Sequence, residues 1–241
     1  MLENSSHFLD QNLRQRGHTG VLVHTMGRVP FLEVWAWQKH WVDWAIAHPE
    51  SPDRLLVVEH PPVYTLGTGA TLDHLRFDLN HPPAPCHRIE RGGEVTYHGP
   101  GQLILYPILD LRRYRPDLHW YLRQLEQVVI QLLLELGLRG DRISGLTGVW
   151  VAGKKLAAIG IKVRRWVSMH GVALNVCPDL RGFQQIVPCG ISDRPVGSLA
   201  ELIPGITVEQ VQPLAIAAFE SVFQVSSQWV AGPLWADAFP E

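Results

Sequence analysis

Apolar positions along this chain recur with two periods, near two residues and near 3.6, and the switches between them lay out the predicted elements. GVLVHTM at 20–26 reads as a first strand. Pro30 then opens a helical stretch to about His48, carrying Trp35, Trp37, Trp41 and Trp44, and Pro49 closes it. The four tryptophans read as core packing. RLLVVEH (54–60) is a near-continuous apolar strand bounded by Pro61 and Pro62. The glycine-rich VYTLGTGAT after it reads as a loop, and the proline-rich HPPAPCHR (81–88) as a connector. QLILYPIL (102–109) is a buried strand. Asp117 suits the N-cap of the clearest helix, Leu118 to about Leu136, with Gly137 as its stop. The leucines and valines of that helix share one broad face, so it should pack on a sheet.

From 148 to 176 the pattern turns to strands, with a hairpin turn at Ala152-Gly153-Lys154 and alternation through Ile161–Val167. A loop containing VPCGIS (187–192) follows, then helical candidates near Ser198–Ile203 and Thr207–Phe223. Helices and strands are interspersed without regular βαβ alternation. That predicts an α+β fold of two layers, with a mixed, largely antiparallel sheet packed against helices. Residues 1–18 are polar and unpatterned and read as a flexible extension; 19–241 read as one catalytic domain without internal repeats.

Composition narrows the function classes. Apolar residues make up 46% of the chain and charged ones 18%, enough for a sizeable core and against general disorder. The net charge of −2 argues against a nucleic-acid partner. No apolar run approaches about 18 residues, so no membrane span is expected. Cys86, Cys177 and Cys189 are odd in number and far apart, which suits a reducing cytoplasm better than a disulfide framework. No CxxC or HExxH occurs, and no metal is expected.

The densest candidate chemistry is RGGEVTYHGPGQLILYPILDL, from Arg91 to Leu111. Adjacent glycines let backbone approach a ligand closely and leave amide N–H groups free to point at it. Gly92 and Gly93 with Arg91, Thr96, His98 and Gln102 read as a ligand-facing loop held by the strand that follows. A tight turn between strands is the plainer alternative. Cys189, between Pro188 and Gly190, is a candidate nucleophile, although a free cysteine is more often a small buried hydrophobe. A nucleophilic thiol needs a neighbour that favours its thiolate. Lys155, at the start of the apolar strand KLAAIGI, can lay its stem on the core and direct its amine into a cleft, or it is a solvated hairpin lysine. His170 is a second candidate, and spacing alone does not choose between the two.

RGGEVTYHGPGQLILYP, GKKLAAIGIKV with HGVALNV, and VPCGIS occur in that order, downstream of EHPPVYTLG. Together these motifs resemble the lipoyl(octanoyl) transferase family, over roughly residues 19–223. That resemblance implies the fold of the catalytic domain of biotin and lipoate protein ligases. It implies transfer of an octanoyl group from octanoyl-acyl carrier protein to a lysine of lipoyl domains, those of 2-oxoacid dehydrogenase E2 subunits and glycine cleavage H protein. The reaction would pass through a cysteine thioester without a cofactor. By the same resemblance Cys189 is the acyl-accepting cysteine, and Lys155 the acid/base that lowers the thiol's pKa. Arg91, Gly92, Gly93, Glu94, Val95, Thr96, Tyr97 and His98 match the substrate-binding loop. Ala158, Ile159, Gly160 and Gly171, Val172, Ala173 match two shorter binding segments. An ATP-dependent ligase or a non-catalytic carrier-binding module are the alternatives, and the chain has no GxxxxGK[ST] phosphate loop. An eight-carbon chain needs a dry slot, contributing on the order of 5 kcal/mol at about 0.8 per CH₂. The small residues of these segments leave room for it, with Ile159 and Val172 expected as walls. Lys162, Arg164 and Arg165 form a basic cluster that suits either an acidic carrier surface or a solvated sheet face.

Overall fold

The computed structural model describes residues 19–187 and 195–230. A seven-stranded sheet runs in the order β10-β1-β2-β6-β9-β8-β7. Its strands are β1 (Thr19–Arg28), β2 (Asp53–Glu59), β6 (Gln102–Ile108), β7 (Val149–Val151), β8 (Lys154–Arg164), β9 (Val167–Asn175) and β10 (Val225–Trp229). β1 pairs in parallel with both β2 and β10, and every pairing from β2 through β6, β9 and β8 to β7 is antiparallel. A second sheet, β4-β3-β5, comprises Cys86–Arg88, Val63–Leu66 and Val95–His98. The α+β expectation of a mixed, largely antiparallel sheet with helices therefore holds. Helices lie on both faces of the large sheet, and the small sheet adds cover on one.

Strand alternation sends successive side chains to opposite faces. Leu55 and Val57 of β2, Leu103 and Leu105 of β6, and Val172 and Leu174 of β9 pack into one core. That core also receives Tyr121, Leu125, Val128, Val129 and Leu132 from helix α2 (Leu118–Glu135), and Val211, Ala215 and Phe219 from helix α3 (Val208–Phe223). The intervening residues Leu56, Val58, Ile104, Tyr106 and Ala173 face helix α1 (Phe31–Ala47) and its Val34, Trp37 and Trp41. Of the four tryptophans of α1, Trp37 and Trp41 are core, whereas Trp44 is 38% exposed.

The helix ends follow their sequence signals. Asp117 accepts the Trp120 N–H at 3.0 Å, and Gly137 takes φ +73° beyond the other end of α2. Thr207 and Gln210 form a reciprocal capping box on α3. The β7–β8 hairpin turns at Ala152 and Gly153, both left-handed, as its sequence signal predicts. The β8–β9 hairpin turns the same way on Arg165 and Trp166, at φ 48° and 68°, without a glycine.

Two expectations are corrected, and one strand is added that the sequence pattern did not announce. VYTL is strand β3, its four residues buried within the small sheet, where composition suggested loop. Cys86–Arg88 pairs with it as edge strand β4. The segment after Phe223 adds strand β10, hidden from pattern reading because three of the five residues in VSSQW are polar.

Candidate active site

Where the small sheet and the start of α1 approach the large sheet, they enclose a cavity of about 220 Å³. Its walls include Arg91, Gly92, Gly93, Glu94, Thr96 and His98 from the loop and β5, and Ala158, Ile159 and Gly160 from β8. Gly171, Val172 and Ala173 of β9 and Lys155 complete the predicted set found there. Val95 and Tyr97, expected in the same loop, turn the other way. They pack with Tyr64, Leu66 and Phe183 in a separate cluster under the small sheet, because β5 alternates like any strand.

The glycine-rich turn lies directly on β8, with Gly92 N–H donating to Ile161 O at 2.8 Å. Contact that close demands small neighbours. A Cβ on Gly160 would sit 3.1 Å from both Arg91 Cδ and Gly92 O, and one on Gly67 would sit 2.2 Å from Gly93 O. Arg91 is buried and committed to this joint. Its Nη2 donates to Thr65 O at 2.7 Å and Thr65 Oγ1 at 3.0 Å, and its Nη1 to Gly92 O at 3.1 Å. The guanidinium therefore ties β3 to the turn. Glu94 braces the outer side, accepting from His74 Nδ1 at 2.9 Å and Thr71 N–H at 3.3 Å.

The two short predicted segments each divide between faces. Ala173 lies on the α1 side of β9, whereas the side chains of Ile159 and Val172 join the core beneath α2 and α3. Ile159 and Val172 thus border the cavity, as expected, while their side chains also pack into the core. Further apolar lining comes from Phe31, Ile89, Ile104 and Tyr106, which the sequence places in the core or leaves unremarked. Gly171 does not simply leave room for a ligand, since a Cβ there would meet Leu105 O at 2.3 Å. The segment Gly145–Leu146–Thr147, also unanticipated, forms another part of the wall.

Buried polar groups lie in and beside the cavity wall. His60 Nδ1–H donates to Val29 O at 2.7 Å, which leaves its Nε2 to accept from the Tyr106 hydroxyl at 3.0 Å. His98 Nδ1–H donates to Gln102 Oε1 at 3.1 Å. His170 adopts φ +59° and its backbone N–H donates to Gln38 Oε1 at 2.7 Å. Its buried Nε2 has no hydrogen-bond partner among the described residues. Burial, then the charge of Arg91, pushes His170 down to about 3. Burial, then His60 and Arg91, does the same for His98. Both imidazoles are consequently neutral at physiological pH and supply no positive charge to an anion.

Lys155 is only 7% exposed and lines the cavity, whereas its neighbour Lys154 pairs with Glu201 at the surface at 2.9 Å. The backbone of Lys155 holds the returning chain, its N–H donating to Pro195 O at 2.9 Å and its O accepting from Gly197 N–H at 3.0 Å. On the other side, Val187 N–H donates to His74 O at 2.8 Å. A relay of amides reaches the same place. Gln102 Nε2 donates to Asn175 Oδ1 at 2.9 Å, and Asn175 Nδ2 donates to Gly197 O at 2.9 Å. Thr96, Gln102, Asn175 and Lys155 border a small adjoining space of about 10 Å³, room for about one water. Cys189, with Pro188 and Gly190, lies outside the described residues.

Comparison with known proteins agrees with this architecture. Residues 30–220 match the family described as the lipoyl protein ligase A/B catalytic domain. The octanoyltransferase of Synechococcus elongatus is 61% identical over 84% of this chain and 87% of its own length. That of Synechocystis is 58% identical over 88% and 93%. Among solved structures, the bipartite lipoate protein ligase of Thermoplasma acidophilum superposes with a TM-score of 0.68 at 17% identity, covering 92% of this chain and 90% of that one. At that identity the likeness speaks for the fold. Taken with the sequence matches, it means that the chain belongs to the lipoyl protein ligase A/B catalytic-domain family and, within it, to the octanoyltransferases.

Proposed function

We propose that this chain transfers an octanoyl group from a carrier thioester to a lysine of a lipoyl domain, with Cys189 as acyl acceptor and Lys155 as acid and base. Octanoyl transfer is the activity named for its relatives at 51–61% identity. The observation that carries the residue assignment is Lys155. It is a buried lysine on the wall of a largely apolar cavity, and its own backbone grips the chain six residues beyond Cys189.

In this mechanism the Cys189 thiolate attacks the thioester carbonyl. The carrier's sulfur leaves and takes a proton from the Lys155 ammonium, and the octanoyl group is now on Sγ. The acceptor lysine's amine then attacks the new thioester and gives its proton back to Lys155, and the cysteine thiolate is expelled. Thioester exchange is nearly isoenergetic and amide formation is downhill, so no nucleotide is consumed. A free thiol, with a pKa of about 8.5, is only a few per cent ionised at neutral pH, and a nearby ammonium favours its thiolate. His98 and His170, held neutral, are poor substitutes for that charge. Both described cysteine thiols are pushed up, Cys86 by burial and the exposed Cys177 by partial desolvation and then by Glu59 and Glu209.

Octanoyl-acyl carrier protein as donor, and lipoyl domains of 2-oxoacid dehydrogenase E2 subunits and glycine cleavage H protein as acceptors, complete the proposal. So does a cytoplasmic site of action. Among the described residues no helix is long and apolar enough to cross a membrane. The test is intact-protein mass spectrometry after mixing with octanoyl-carrier protein. One octanoyl adduct is expected on the native chain and none on Cys189→Ala. A Cys189→Ala protein that still octanoylates lipoyl domain at the native rate would overturn the mechanism. Octanoylation from free octanoate and ATP alone would favour a ligase instead.

A further inference from the structure

The proposed acid/base has to be held in one place, and the chain leading into β7 supplies Gly145, Leu146 and Thr147 to the cavity wall. Trp150 on β7 stands opposite Lys155 across the β7–β8 pairing and is 1% exposed. Lys155 Nζ lies 5.2 Å from the centroid of the Trp150 ring, inside the range in which an aromatic face attracts an ammonium. Gly148 also abuts the end of the lysine stem. A Cβ at that position would lie 2.6 Å from Lys155 Cε and 3.3 Å from Trp150 Cη2, so backbone alone fits there.

Gly148 is itself pinned. Its N–H donates at 3.2 Å to Oε1 of Glu126, a carboxylate 1% exposed on α2. The second oxygen of Glu126 accepts from Arg123 at 2.6 Å and Arg142 at 2.9 Å. Gly148 is thereby tied to α2 through a buried, doubly paired carboxylate. The Trp150 indole N–H, by contrast, is buried without a hydrogen-bond partner among the described residues. Buried tryptophans usually satisfy that donor, and a Phe or Leu would fill the space without an orphaned one. The indole's large π face is what those replacements lack or diminish.

We infer that Trp150 is a positioning residue for octanoyl transfer, its ring face holding the Lys155 side chain against the cavity wall. The inference rests on Lys155 being the acid/base of the reaction. It acts through the lysine and not on the acyl chain, so its signature is a loss of turnover with substrate binding preserved.

The experiment compares Trp150→Leu with Trp150→Phe in the full chain, measuring steady-state transfer from octanoyl-carrier protein to lipoyl domain alongside thermal unfolding. Trp150→Leu should lower kcat about tenfold or more while KM for the carrier changes less than about twofold. Trp150→Phe keeps an aromatic face and should recover kcat to within about threefold of native. In a Lys155→Ala background, Trp150→Leu should change the residual rate by less than about twofold, because the group it positions is gone. If Trp150→Leu is too unstable to assay, Trp150→Met fills more of the space without a ring and carries the same expectation. Equal kcat for the Leu and Phe variants, or an effect confined to KM, would overturn the inference. Native transfer by Lys155→Ala would instead sink the assignment of Lys155. An inactive Lys155→Ala beside a fully active Trp150→Leu would remove the role of Trp150 alone.

Discussion

The two faces of the large sheet are built from the same strands and have opposite characters. Under α2 and α3, β2, β6 and β9 present Leu55, Val57, Leu103, Leu105, Val172 and Leu174 to a continuous apolar core. Toward α1 and the small sheet, alternate residues of the same strands meet four buried histidines, His24, His60, His98 and His170, together with Arg54, Arg91 and the cavity. One face stores stability. The other gives some of it up to keep a partly polar, partly empty space, since buried polar groups and voids both cost free energy. Period-two alternation is what lets a single strand do both.

That contrast can be broken most sharply at Lys155. Lys155→Ala should lower transfer by a factor of about 10² or more while leaving the unfolding midpoint little changed, as read by lipoyl-domain octanoylation and thermal denaturation. On the apolar face the reverse is expected. Leu105→Ala should cost about 2–5 kcal/mol in urea unfolding, with transfer per folded molecule near native. One residue along, Ile104→Ala enlarges the cavity and should shift the preferred acyl chain toward longer donors in a competition assay; an unchanged preference would show that Ile104 does not bound the chain.

The joint between the sheets gives a smaller effect. Thr65→Val removes the Oγ1 acceptor of the buried Arg91 guanidinium and should cost about 1–3 kcal/mol. The histidines make a prediction with a sign. Burial lowers His24 and His60 to about 4, and His98 and His170 to about 3, from 6.5. The unfolded chain therefore takes up those protons first, so stability is complete above about pH 6.5 and falls as pH drops toward 4. Asp53, raised by burial from 3.8 to about 6, works the other way between those values. It is one group against four, so the thermal midpoint should fall on acidification from pH 6.5 to 4, and a flat profile would contradict the buried neutral histidines.

Much of this was legible in the chain itself. Asp117 and Thr207 announce their helices because capping is local chemistry. β6 reads as a strand because all seven of its residues are buried and most are apolar. The RGG turn and the two small-residue segments could be found because glycine at such density has few other uses. The other walls could not. Phe31, Ile104 and Tyr106 look like core residues because they are core residues whose other flank borders a cavity, and only tertiary packing decides which flank that is. β10 stayed hidden because its partner β1 supplies the apolar side of the pairing. The shared surfaces at Gly148 and Trp150 depend on a cross-strand meeting that spacing does not encode.

The turn between β8 and β9 has a practical corollary. Arg165 and Trp166 both sit in left-handed backbone that β-carbon-bearing residues adopt at a cost, at the far end of β8 from Lys155. Installing Asn-Gly there suits the turn's handedness and should raise the melting temperature; a higher KM for the carrier protein would show that Arg165 meets it. The turn is thus a handle on stability set a full strand away from the lysine.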